Sequence, residues 1–204
     1  MKSFIFKNSL NILAVTGGMV AIYTAMSWSA MPVLQRMAGL IFIALVVHAW
    51  EEYRFPGGFM EMETRHLNIT FPRPEINELV LVVGILCLGL VPLFFPHVVW
   101  LTMAPMLLFI GQFPGHIGAV KRFKLERFYS PGLVTAVLMQ PIPIYSIIYV
   151  VQNKLMHPVE WLFSIVYAGI VMAIGSIIII RMNGRKVFEF IKNARAAKHP
   201  APKG

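Results

Sequence analysis

Residues Leu79 to Val120 read LVLVVGILCLGLVPLFFPHVVWLTMAPMLLFIGQFPGHIGAV, with no Asp, Glu, Lys or Arg anywhere in the run. A helix crosses the roughly 30 Å of bilayer hydrocarbon in about 20 apolar residues, so this stretch is long enough for two crossings. Pro92 to His97 supplies the turn between them. Further charge-free stretches run over Asn8–Gln35, Met37–Trp50, Phe128–Asn153 and Trp161–Ile180. The spacing predicts an all-α, polytopic membrane helix bundle with about six transmembrane helices, near 9–29, 32–50, 77–95, 98–118, 131–151 and 158–181. Composition agrees: of 204 residues 57% are hydrophobic and only 13% charged, whereas a soluble domain carries about 25% charged residues.

The basic residues set an orientation. Lys2 and Lys7 precede the first span, Lys121, Arg122, Lys124 and Arg127 connect the fourth to the fifth, and Arg181, Arg185, Lys186, Lys192, Arg195, Lys198 and Lys203 follow the sixth. With six spans all three groups fall on one side, and short Lys/Arg-rich loops stay in the cytoplasm. Both termini are therefore expected to be cytoplasmic. The net charge of +9 then faces anionic lipid, and no nucleic-acid partner is needed to explain it. The apolar run near the start is longer than a signal-peptide core and more spans follow, so it reads as a retained helix. The single Cys87 excludes an internal disulfide and a thiolate zinc cluster.

Residues 1–183 read as one transmembrane domain and 184–204 as a basic cytoplasmic tail. In that tail Val187, Phe190, Ile191 and Ala194 keep helical spacing beside basic residues, which predicts a short amphipathic surface helix. A disordered end is expected from Ala196 to Gly204. The 51–76 connection holds five of the nine Glu residues and the breakers Pro56, Gly57, Gly58, Pro72 and Pro74. It is predicted to be turn-rich and able to fold back toward the helix ends. Pro141 and Pro143 predict a kink in the fifth span, Ser130 an N-cap at its start, and Asn77 with Glu78 a cap for the third.

Candidate chemistry lies where these helices end. His48, Glu51 and Glu52 occupy offsets of three and four at the end of the second span and share a helix face. Burying such groups is costly unless they are paired or bind a metal. Glu78 and His116 fall at the same depth, and Tyr129 lies just before the fifth span. His97 and His157 fall on the opposite side and His66 and His199 in loops. The His48–Glu52 spacing resembles the inverted zinc-peptidase pattern H-x-x-E-H with its last His replaced by Glu. That likeness makes His48 and Glu52 metal ligands and Glu51 the general base, with Glu78 and His116 available to complete a site that keeps one position open. Two His with several carboxylates on bundle helices also resembles a di-iron site, so zinc, iron and manganese all stay open. The plain alternative is solvated carboxylates paired with Arg54, Arg65 or Lys121. Tyr129 is either an interfacial anchor or a proton donor.

The segment His48-Ala49-Trp50-Glu51-Glu52-Tyr53-Arg54-Phe55-Pro56-Gly57-Gly58-Phe59 is similar to the signature of the HXXEE-motif family of bacterial integral membrane proteins, whose function is unassigned. Tyr129-Ser130-Pro131-Gly132-Leu133-Val134-Thr135 resembles that family's later Y-x-P-G-x-x-T segment. The similarity runs from Val47 to Thr135, and Gln112 rather than His stands four residues before His116. It implies a multi-pass protein of the bacterial inner membrane. Two functions are expected: a metal-dependent, hydrolase-like enzyme acting on a lipid or other membrane-borne substrate, or a non-catalytic transporter, ion-binding protein or partner subunit using the same residues. Phosphate-binding G-x-x-x-x-G-K-[ST] and G-x-S-x-G motifs are absent from the sequence.

Overall fold

The computed structural model describes residues 2–67 and 70–198, and among them there are helices and no strands. Six stretches are long and apolar enough to cross a membrane: Phe4–Met26, Val33–Tyr53, Pro74–Phe94, Val99–Arg122, Leu133–Gln152 and Pro158–Met182. Each lies within a few residues of its sequence-predicted span. The helices are α1 (Lys2–Met26), α2 (Val33–Tyr53), α3 (Phe59–Leu67), α4 (Pro74–Ile85), α5 (Val91–Phe94), α6 (Val99–Arg122), α7 (Leu133–Leu138), α8 (Pro141–Gln152), α9 (Pro158–Met182) and α10 (Val187–Lys198).

The second span is the most enclosed, and α2 packs against α1, α6, α7 and α8. Ala38, Ile41 and Phe42 are fully buried there, together with Leu10 and Leu13 of α1 and Met103, Met106 and Phe109 of α6. In lipid, tight van der Waals fit replaces the hydrophobic drive, so small residues mark the close crossings. A Cβ at Gly17 would stand 3.0 Å from Val46 Cγ1, which shows how closely α1 lies on α2. The third span is not a plain helix. A π-helical turn, Leu86–Leu90, joins α4 to α5, and there Gly89 lies against Phe42.

The fifth span breaks between α7 and α8, where Pro141 opens the second piece, as its prolines predicted. The 51–76 connection does fold back, but through a helix that its breakers did not suggest. α3 packs on α2 and on α10, with Met62 buried. α10 forms where the amphipathic spacing predicted and reaches Lys198. The remainder of the expected disordered end, with His199, lies outside the described residues.

Two capping expectations need correction. α4 begins at Pro74, so Asn77 and Glu78 lie inside it rather than capping it, and Asn77 Oδ1 instead accepts from Asn183 Nδ2 at 3.1 Å. Ser130 does not cap the fifth span either. Gly132 holds the N-cap position of α7 with φ +95, and the Ser130 hydroxyl is turned to His116.

Candidate metal centre

The C-terminal end of α2, the C-terminal half of α6 and the start of α7 meet in one layer, and there the ionisable residues converge. His48 Nε2 lies 3.5 Å from Glu52 Oε1, His116 Nε2 lies 3.5 Å from the same oxygen, and the two Nε2 atoms are 3.4 Å apart. This near-equilateral triangle could hold a metal ion. Bonds of 2.0–2.1 Å to nitrogen and oxygen in a tetrahedron require ligand atoms about 3.3–3.4 Å apart, so the observed edges fit an ion of zinc's size. All three residues are buried, with 5%, 8% and 3% exposure for His48, Glu52 and His116.

The far side of each imidazole fixes which nitrogen carries the proton when the ring is neutral. Thr135 Oγ1 donates to Glu51 Oε2 at 2.5 Å, and it also lies 3.2 Å from the Gly132 carbonyl. A hydroxyl has one proton, so toward His48 the same oxygen can only accept. The His48 proton is therefore on Nδ1, 2.8 Å from Thr135 Oγ1. Ser130 repeats the logic: its hydroxyl donates to the His116 carbonyl at 3.2 Å, and His116 Nδ1–H donates back to Ser130 Oγ at 3.1 Å. In the neutral rings both Nε2 lone pairs face each other and a carboxylate oxygen. Three buried acceptors around one point call for a cation or a proton between them.

Glu51 is placed differently from its neighbour. Its Oε1 accepts from the Tyr129 hydroxyl at 3.0 Å and from Val134 N–H at 3.1 Å. Its Oε2 accepts from Thr135 N–H at 2.7 Å as well as from the Thr135 hydroxyl. The carboxylate thus caps the N-terminus of α7, whose exposed amides and dipole favour an anion, and it does so from another helix. Burial, and then the bond to Glu51, push the Tyr129 phenol above its ordinary value, so at neutral pH Tyr129 is a donor.

The wall of the cluster is built closely. Phe109 meets the His48 ring edge-on at 5.6 Å between centroids, and Phe59, in the first turn of α3, meets His116 at 6.0 Å. Gln112 approaches His48. At Gly132 a Cβ would stand 2.7 Å from His116 Nε2 and 2.9 Å from Glu52 Cγ. With its left-handed φ, glycine is required here twice over, for backbone conformation and for space.

Of the residues marked in the sequence, the fold brings His48, Glu52 and His116 together and joins Tyr129 to Glu51. It does not bring in Glu78. Arg54 donates to both Glu78 oxygens, at 2.8 and 2.7 Å, in a two-pronged ion pair that ties the end of α2 to α4. Glu78 therefore departs from the expected ligand set, because an arginine at the same depth takes its carboxylate. Thr135, Ser130 and Gly132 are the site residues that helix spacing did not single out. All three lie in the segment Tyr129–Thr135, whose resemblance to a family motif was the available signal.

A family model described as a protein of unknown function with HXXEE motif matches residues 39–146. No curated protein and no solved structure matches the chain.

Proposed function

Because the chain belongs to the HXXEE-motif family, a family of unknown function, its activity has to be argued from its own site, and we propose that it is a metal-dependent membrane enzyme, hydrolase-like, acting on a lipid or other membrane-borne substrate. The observation that carries this reading is the triangle of His48 Nε2, Glu52 Oε1 and His116 Nε2, with edges of 3.4–3.5 Å. Three protein ligands leave a fourth position of a tetrahedral ion open, the arrangement of catalytic rather than structural zinc. A divalent ion held there would polarise an ester or amide carbonyl and lower the pKa of water.

The remaining roles follow from the chain's own contacts. Thr135 and Ser130 hold the two imidazoles in the tautomer that presents Nε2, the task usual for the outer partners of metal-ligating histidines. Glu51, with both oxygens occupied by four donors, orients His48 through Thr135 instead of taking a proton from water, as its motif position had suggested. Tyr129 donates to Glu51 and fixes it. The positive-inside distribution of Lys and Arg supports a cytoplasmic position for this layer and for both termini. The family resemblance supports the bacterial inner membrane.

One observation favours a non-catalytic second reading, in which the same residues bind or pass an ion. The three ligand residues are at most 8% exposed, and Phe59, Phe109 and Gly132 close around them. The two readings separate in one assay. The purified protein, zinc-loaded, is incubated with bilayers made from a total bacterial lipid extract, and the lipids are profiled by mass spectrometry. The enzyme reading expects a lipid species consumed by wild type and spared by His116→Ala and by chelator-treated protein. Metal-bound protein that alters no lipid or added membrane protein would overturn it in favour of the ion-binding reading.

A further inference from the structure

Away from the His/Glu cluster, a groove of about 400 Å³ opens between the start of α1, the start of α4 and the end of α9. Its wall is formed by Phe6, Lys7, Arg73, Glu75, Ile76 and Met182, none of which belongs to the metal centre. That volume is in the range of small-molecule sites. Phe6, Ile76 and Met182 supply its apolar lining, and the three charged residues are all exposed. Among the described residues none of the three takes part in an ion pair, whereas Arg54 with Glu78 and Lys186 with Glu189 do.

We propose that this groove binds one phospholipid with a primary-amine headgroup, its phosphodiester between Lys7 and Arg73, its ammonium on Glu75 and its first chain carbons along Phe6, Ile76 and Met182. The charge pattern carries the assignment. Two cations match a phosphodiester, and a carboxylate at the same rim would repel a purely anionic headgroup but complements one that ends in an N–H donor. A choline headgroup offers Glu75 positive charge without a donor, and a glycerol headgroup offers donors without charge. The position fits as well, since the groove lies where three spans begin or end, at headgroup depth by their lengths. Such a lipid would pin the entry of α1 to the α4–α9 pair, which Asn77 and Asn183 already join.

The test uses native mass spectrometry of the whole chain in mild detergent, with equimolar phosphatidylethanolamine, phosphatidylcholine and phosphatidylglycerol. One retained phosphatidylethanolamine per chain is expected, favoured about tenfold over the choline lipid, the scale of one charge-assisted contact. Lys7→Ala combined with Arg73→Ala should lose the retained lipid. Glu75→Gln should keep a phospholipid but bring the ethanolamine and choline forms to near-equal occupancy. All three positions are exposed, so the variants are compared at matched size-exclusion profiles. Equal retention by wild type and variants, or no preference among the lipids, would overturn the proposal. Displacement by millimolar inorganic phosphate would overturn it too, by making the groove a simple anion site. His116→Ala should leave lipid retention unchanged, so the lipid site and the metal centre fail or stand separately.

Discussion

The His48 Nδ1–H donates a hydrogen bond to Thr135 Oγ1 across 87 positions of sequence, at 2.8 Å, and the Thr135 hydroxyl in turn donates to Glu51 Oε2. This chain fixes which nitrogen of His48 faces the cluster. Outer partners of this kind are worth about 10–100-fold in metal affinity. Thr135→Val keeps the shape of the side chain and removes both bonds, so zinc affinity should fall by about that factor, while Thr135→Ser should stay near wild type. Competition against a fluorescent zinc chelator measures both. Wild-type affinity in Thr135→Val would show that the hydroxyl does not set the tautomer.

Gly132 is the next point of leverage. Alanine there would meet a φ of +95 and place a methyl group 2.7 Å from His116 Nε2. The left-handed backbone alone costs about 1–3 kcal/mol for a residue with a Cβ. Gly132→Ala should therefore melt lower than wild type and bind less than a tenth of the wild-type zinc. Gly84→Ala, a glycine with nothing within 4 Å of the added Cβ, is the matched control and should bind normally.

Glu78 and Glu52 should behave as opposites. The Arg54–Glu78 pair is partly exposed, with 33% and 18% of the side chains accessible, so its loss is worth no more than about 1 kcal/mol. Glu78→Gln should retain full metal stoichiometry with a slightly lower melting temperature. Loss of metal in Glu78→Gln would return Glu78 to the ligand set.

Glu51→Gln tests whether this carboxylate is an anchor. An amide cannot accept four hydrogen bonds with both heavy atoms, and it turns an NH2 group toward donors at the start of α7. Breaking charge-assisted bonds of this type costs about 1.5–3 kcal/mol each, less what rearrangement recovers. The expected result is a marked fall in thermal stability of the metal-free protein, with weaker zinc binding. A stable, metal-replete and inactive Glu51→Gln protein would instead make Glu51 the base.

The spans were readable because the bilayer imposes a length and an apolarity that few other structures need. Leu79–Val120 already required two crossings, and His48, Glu52 and His116 could be ranked by depth once the spans were placed. Depth is only one coordinate, however. Glu78 and Arg54 share that layer too, and which carboxylate met the histidines and which met the arginine depended on helix rotation, which the sequence pattern does not express. Ser130 illustrates the same limit: as a serine before Pro131-Gly132 it looked like a helix cap, but Glu51 arrives from α2 and takes that role, releasing Ser130 to His116. α3 was hidden by the breakers around it, Pro56-Gly57-Gly58 before and Pro72 and Pro74 after. Its amphipathic face shows only once α2 and α10 are there to receive it.

The most direct measurement is the metal content of the protein purified in detergent without chelator, by elemental analysis, for wild type, His48→Ala, Glu52→Ala and His116→Ala at matched size-exclusion profiles. The triangle predicts close to one divalent ion per wild-type chain and a loss of most of it in each of the three variants. A well-folded wild type that holds no metal, even after incubation with zinc, iron or manganese, would contradict the account.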